Sequence, residues 1–339
     1  MKKWLILLCM ISAFVGCGND ENEIKQNFQE NEAKESQNQS KETFINEERS
    51  LRSQSPQKWL EKYDVNAKDS NGETLLMFFA AYGSDDEVKY LLAQGADVNA
   101  TDKQGQSALL LAAKFGYDEL VAALLELGAN PNMVGYYTTP LLEAATNNYY
   151  HISKLLLEHG ADVNLRAQDN GTTPIIALVE GESKGFLSFK DRKERTKEED
   201  KAHIPLLELF IKSGGDVNAQ DFMREGYNIN ALSSALELER ENLAVLLIKS
   251  GVNVKDESYP PLNDAVQYGL VNAVEALLKV GANPMQKGYS QTSALDIIGE
   301  NKLERINGEY ARTLFHSLEP EKQSRIKELM NQAIETINP

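Results

Sequence analysis

LLAQGADVNA at residues 91–100 is echoed by LLELGANPN at 124–132, LLLEHGADVN at 155–164, FIKSGGDVNA at 210–219, LIKSGVNV at 247–254 and LLKVGANPM at 277–285. The glycines of these phrases, Gly95, Gly128, Gly160, Gly214, Gly251 and Gly281, stand 33, 32, 54, 37 and 30 residues apart. A period near 33 that survives one large and one small insertion means units that stack on one another. In such an architecture function resides on a continuous surface, not in an enclosed pocket.

Outward from each phrase, the unit resolves into two short helices. Residues 69–100 read DSNGETLLMFFAAYGSDDEVKYLLAQGADVNA and residues 102–132 read DKQGQSALLLAAKFGYDELVAALLELGANPN. The third unit holds TTPLLEAATNNYYHISKLLLEHGADVN (138–164), and the fourth opens DNGTTPIIALVEG (169–181). Thr139-Pro140 and Thr173-Pro174 put a hydroxyl at the N-cap and proline at the first helical position, where its missing N–H costs nothing. Thr74 and Ser107 keep the cap ahead of Leu75 and Ala108. Ala80, Ala112, Ala113, Ala144 and Ala145 are small enough for close helix packing, and Leu91, Leu92, Leu124, Leu125, Leu155 and Leu156 supply the apolar stripe of the second helix. The repeated glycines predict left-handed C-caps. The Asp97, Asn99, Asn130, Asn132, Asp162 and Asn164 that follow suit side-chain hydrogen bonds in the connecting hairpins.

These units resemble ankyrin repeats, whose pattern is D-x-x-G-x-T-P-L-H-x-A-A followed by G-x-x-x-x-V-x-x-L-L-x-x-G-A-D-V-N. The similarity spans roughly residues 57 to 300. The family's histidine after T-P-L is missing; Met77, Leu110 and Leu142 stand there. The fifth unit (NINALSSALELERENLAVLLIKSG) and the sixth (YPPLNDAVQYGLVNAVEALLKVG) are weaker matches that keep both helices. The resemblance implies an all-α ankyrin repeat solenoid of helix-turn-helix units with hairpin loops. It also implies a partner-binding face built from hairpin tips and first helices. By register the tips are Lys68, Ser70, Asn71, Thr101, Lys103, Gln104, Tyr136, Tyr137, Asp169, Asn170 and Tyr289. Tyr136 and Tyr137 lead the candidates, with Lys103, Gln104 and Asn170, because tyrosine is a common interface anchor. The competing reading is that the two rings cover neighbouring hairpins. Tyr150 occupies an apolar register and reads as structural.

The 54-residue spacing contains GESKGFLSFKDRKERTKEEDKAH (181–203), about 21 residues more than the period requires. Phe186, Phe189 and Arg192 make this insertion a candidate contact finger. A solvated extension laced with its own ion pairs explains the same residues equally well.

The N-terminus reads as an export signal. Met1-Lys2-Lys3 is positive and Trp4 to Val15 is apolar but short for a membrane span. Val15-Gly16-Cys17-Gly18 resembles a bacterial lipobox, with Phe14 where Leu, Val or Ile is usual. That resemblance implies lipidation of Cys17 and, in a Gram-negative host with Gly18 next, an address at the outer membrane facing the periplasm. Cys9 and Cys17 are the only cysteines, so the mature chain has no thiol pair for a disulfide or metal site. Residues 18 to about 55 are rich in Asn, Gln, Glu, Lys and Ser and read as a disordered tether. The expected organisation is a signal peptide at 1–16, a lipidated tether at 17–55, repeats at 56–300 interrupted at about 181–202, and a C-terminal helical cap at 301–339.

The net charge is −16, or −18 without Lys2 and Lys3, which disfavours nucleic acid and favours basic protein partners. The four histidines, His151, His159, His203 and His316, form no metal or nucleophile motif; His159 reads as a helix C-terminal cap. Neither an enzyme nor a cofactor is expected, nor an oligomer. The expectation is a monomeric, membrane-anchored protein-binding module. It would act as an immunity or inhibitor protein against a toxin or secreted hydrolase, or as a scaffold or protective factor for a periplasmic enzyme or envelope complex.

Overall fold

The computed structural model describes residues 56–136, 138–166, 171–181, 197–224, 227–255, 260–288, 291–299 and 314–337. Cys17, the tether, Tyr137, Asp169, Asn170, Tyr289, Phe186, Phe189 and Arg192 lie outside them. The chain divides into residues 1–63 and 64–339. In the first unit, α1 (Pro56–Leu60) carries a buried Trp59 whose ring lies 4.4 Å from that of Tyr63.

The second unit is a stack of helix pairs. They are α2 (Leu75–Ala81) with α3 (Asp85–Ala93), α4 (Ala108–Phe115) with α5 (Asp118–Glu126), and α6 (Pro140–Thr146) with α7 (Tyr150–Glu158). Next come α8 (Pro174–Glu180), α9 (Lys197–Ala202) and α10 (Ile204–Lys212), then a hairpin of β1 (Gln220–Arg224) and β2 (Tyr227–Asn230). The stack continues with α11 (Ala231–Glu237) and α12 (Glu241–Lys249), α13 (Pro261–Gln267) and α14 (Val271–Lys279), and α15 (Ala294–Ile298). A 3₁₀ turn (Leu314–Ser317) precedes α16 (Pro320–Ile337), which packs on α14 as the second helix of a last pair. First helices pack on first helices from α2 through α15, and second helices on second helices from α3 through α16. Ala80, Ala112, Ala113, Ala144 and Ala145 are fully buried in the first row, where a larger side chain would hold the helices apart.

The repeated glycines end the second helices as the spacing predicts. Each has φ between +86° and +90°. The residue after each glycine donates back five positions, as in Ala96 N–H to Leu91 O (3.0 Å), Ala129 to Leu124 (2.9 Å) and Ala282 to Leu277 (3.0 Å). This is the Schellman geometry, which satisfies carbonyls that the helix leaves open. His159 adds a ring-nitrogen contact to Leu155 O at 2.9 Å, in keeping with a capping role.

The asparagines of the phrase do more than close their own hairpins. Asp97, Asn130 and Asp162 accept from the N–H two residues on, within the loop. The asparagine two residues later clasps the next repeat. Asn66 Nδ2 donates to Gly95 O (3.2 Å) while its Oδ1 accepts from Asp97 N–H (2.7 Å). Asn99 makes the same pair with Gly128 O and Asn130 N–H, and Asn132 with Gly160 O and Asp162 N–H. Asn164 spans the insertion to reach Gly214 O and Asp216 N–H. Asn218 accepts from Asn253 N–H at 2.7 Å. At the next turn of the ladder the residue is Lys255, whose ammonium has no oxygen with which to accept.

Two expectations are corrected. Thr74, Ser107 and Thr139 cap their helices, but Thr173 Oγ1 is buried without a hydrogen-bond partner among the described residues. Its neighbour Thr172 bonds Asp221 of β1, which ties this helix start to the β-hairpin. That hairpin forms two antiparallel strands beside the helical stack, with an irregularity between Asp221 and Arg224. Tyr150 is 39% exposed: as the first residue of α7 it projects at the helix end, edge-on to His151, while Ile152 and Leu156 fill the core.

Candidate protein-binding surface

The hairpin tips are built on aspartates. Asp69 Oδ1 accepts from Asn71 and Glu73 N–H, and Asp102 Oδ1 from Gln104 and Gln106 N–H, so one carboxylate folds each tip. Backbone bonds then fasten tip to tip: Lys103 N–H donates to Asn71 O (2.9 Å) and Tyr136 N–H to Gln104 O (2.8 Å). Lys68 Nζ reaches Thr101 O (2.8 Å) and Lys103 Nζ reaches Ser70 O (2.7 Å).

Among the sequence-predicted candidates, Lys103, Gln104 and Tyr136 are thus brought onto adjoining tips. Lys103 is exposed, yet its ammonium braces the preceding hairpin. Gln104 is exposed and its side chain makes no hydrogen bond among the described residues. Tyr136 is 55% exposed.

A second surface runs along the opposite ends of the first helices, where the chain turns into the second helix. Tyr82, the C-cap residue of α2, is 69% exposed, and Phe115, the last residue of α4, is 48% exposed. Phe78 lies 4.9 Å from Tyr82 between ring centroids, and Phe115 lies 6.3 Å from Tyr117. Tyr117 lies flat against the turn of the preceding repeat: a Cβ at Gly83 would be 2.7 Å from its ring, and one at Gly116 would be 2.9 Å from the ring of Tyr149. Both glycines also need positive φ, 65° and 80°. Register alone could have found Tyr82 and Phe115, since each directly precedes the turn glycine of its repeat; attention to the hairpin tips passed over them.

At the register of Tyr117 and Tyr149 the fifth unit has Arg240. Tyr117 OH donates to Ala81 O at 3.4 Å, and Arg240 Nη1 likewise donates to Leu178 O at 3.3 Å. Only 4% of Arg240 is exposed, so a cation takes the place of an aromatic lid here. Two carboxyls further along are held above the usual carboxylate range. Asp200 is raised by burial, against the lowering effect of its bond from Asn242 N–H. Asp264 is pushed up to about 6, first by burial and then by the charge of Glu237. Among the described residues no group of three His, Cys, Asp or Glu side chains could hold a metal ion, and no helix is long and apolar enough to cross a membrane.

Comparison with known proteins agrees with this geometry. A family model described as ankyrin repeats (3 copies) matches residues 53–135, and one described as ankyrin repeat matches residues 136–168. The chain is also 27% identical over 160 residues, 44% of its length, to the ankyrin repeat and KH domain-containing protein mask-1 of Caenorhabditis elegans. It spans only 6% of that protein's length. Residues 53–168 thus match the ankyrin repeat family, whose members are generally protein-interaction modules.

Proposed function

We propose that this chain is a lipid-tethered ankyrin stack that binds another protein outside the cytoplasm, as an immunity or inhibitor protein against a toxin or secreted hydrolase. The observation that carries the binding role is the run of matched repeats whose hairpin tips present Gln104 and Tyr136 to solvent. Binding by surface complementarity needs no turnover and fits a framework held rigid by its own side chains. The address is supported by residues 1–17: a positive start, a short apolar stretch and Cys17 after Val15-Gly16. Several acyl chains on one cysteine give durable anchoring. The acidic balance favours a basic target.

The test is rescue. Cells expressing the target are expected to survive when they also carry this protein, and to lose protection with Tyr136→Ala/Gln104→Ala or when the protein is confined to the cytoplasm. A single stoichiometric complex is expected. Several weak partners with an envelope-stress phenotype would overturn the inhibitor role in favour of a scaffold. A Cys17→Ser protein that still sediments with membranes would overturn the anchor.

A further inference from the structure

We infer that the aromatic edge of the first two repeats is a docking surface for a basic, lysine- or arginine-bearing segment of the partner; this rests on the protein-binding role proposed above. Phe78 with Tyr82, and Phe115 with Tyr117, form two ring pairs that the turn glycines link, together with Tyr149, into one row. Its continuity comes from Gly83 and Gly116, which let Tyr117 and Tyr149 lie directly on the preceding turn. Single exposed apolar side chains are ordinary on a protein surface, but a contiguous row marks an interaction site.

Charge decides what kind of segment fits. The two turns at residues 82–87 and 114–119 hold five carboxylates, Asp85, Asp86, Glu87, Asp118 and Glu119, against one cation, Lys114. None of the five side chains makes a hydrogen bond or ion pair among the described residues. Their place in the first turns of α3 and α5 favours them through the helix dipole; Asp86 and Glu119 are exposed and the other three half-buried. A lysine or arginine can lay its alkyl stem over the rings and set its head group on these carboxylates. Lys114 Nζ already lies 5.9 Å from the centroid of Phe115, so that ring accepts a cation within the chain. An acidic segment or a phosphate backbone is repelled by the same turns.

The full chain is titrated with a short synthetic peptide of alternating lysine and leucine, and with its glutamate counterpart. The lysine peptide is expected to bind, and Tyr82→Ala/Phe115→Ala, which leaves the charge unchanged, is expected to weaken it about tenfold or more. Asp86→Lys/Glu119→Lys is expected to do the same at the cost of a small fall in melting temperature, because it puts cations at two helix N-termini, whereas thermal unfolding of Tyr82→Ala/Phe115→Ala is expected to match the parent. Equal binding by parent and Tyr82→Ala/Phe115→Ala would overturn the edge, as would equal binding of the glutamate peptide. The rescue assay separates the two proposals. If Tyr136→Ala/Gln104→Ala abolishes protection and the edge variants keep it, the edge fails and the binding role stands. If neither changes protection, both fail.

Discussion

Replacing Asn132 by alanine removes two hydrogen bonds that join the second repeat to the third, Nδ2 to Gly160 O at 2.9 Å and Asp162 N–H to Oδ1 at 2.7 Å. It leaves the N–H of Asn132 bonded to Asn130, so the local turn survives. A net contribution of about 0.5–1.5 kcal/mol per bond, taken in its lower half for a solvent-facing site, gives a loss of about 1–2 kcal/mol. With a urea slope of about 2 kcal/mol/M, the unfolding midpoint falls by about 0.5–1 M. The converse change is Lys255→Asn, which by register places an amide where earlier repeats clasp the next glycine carbonyl, here Gly281 O with Asn283 N–H. It is expected to raise stability by about 1 kcal/mol. Urea unfolding of parent, Asn132→Ala and Lys255→Asn, followed by far-ultraviolet circular dichroism, measures both. An Asn132→Ala midpoint equal to the parent's would refute the ladder as a source of cohesion between repeats.

Gly128→Ala is expected to cost about 1 kcal/mol, for a side chain at φ +88° in open space, whereas Gly116→Ala should cost at least about 1 kcal/mol more because its Cβ meets Tyr149; melting temperatures of the two variants compare them. Thr139→Val removes the cap to Leu142 N–H (3.1 Å) and should cost about 1 kcal/mol, while Thr173→Val, which removes a hydroxyl with no partner among the described residues, should be neutral or stabilising. Asp264 titrates near 6 in the folded chain and near 4 unfolded, so the folded state holds the extra proton between those values. Stability therefore falls by about 3 kcal/mol as pH rises from 4 through 6, and Asp264→Asn should remove that slope in unfolding curves taken across the range.

The architecture was legible in the glycines because the C-cap is a local rule, and every repeat obeys it independently. Alanine and leucine positions followed from the same register. Thr173 was misread because its N-cap hydroxyl depends on what β1 does to Thr172, a contact 49 residues away in sequence. Tyr150 was misread because one position at a helix start separates the buried stripe from the exposed end. The asparagine clasp was half visible: the residue type suits a hairpin, but its second partner lies about one period ahead. Of the candidate tips, the register of Gln104 and Tyr136 was legible in the sequence, and both are exposed. Tyr82 and Phe115 share a register before the turn glycine, but that Tyr117 lies on Gly83 and so links them is a contact between repeats that register does not show.

Photo-crosslinking in the native host tests most directly whether this stack binds protein through its presented surfaces. A photoreactive residue is placed at Tyr136, at Tyr82, or at the solvent-facing Lys154 of α7. One discrete crosslinked polypeptide is expected from Tyr136 and Tyr82 and none from Lys154. Equal crosslinking from all three positions, or none from any, would contradict the account.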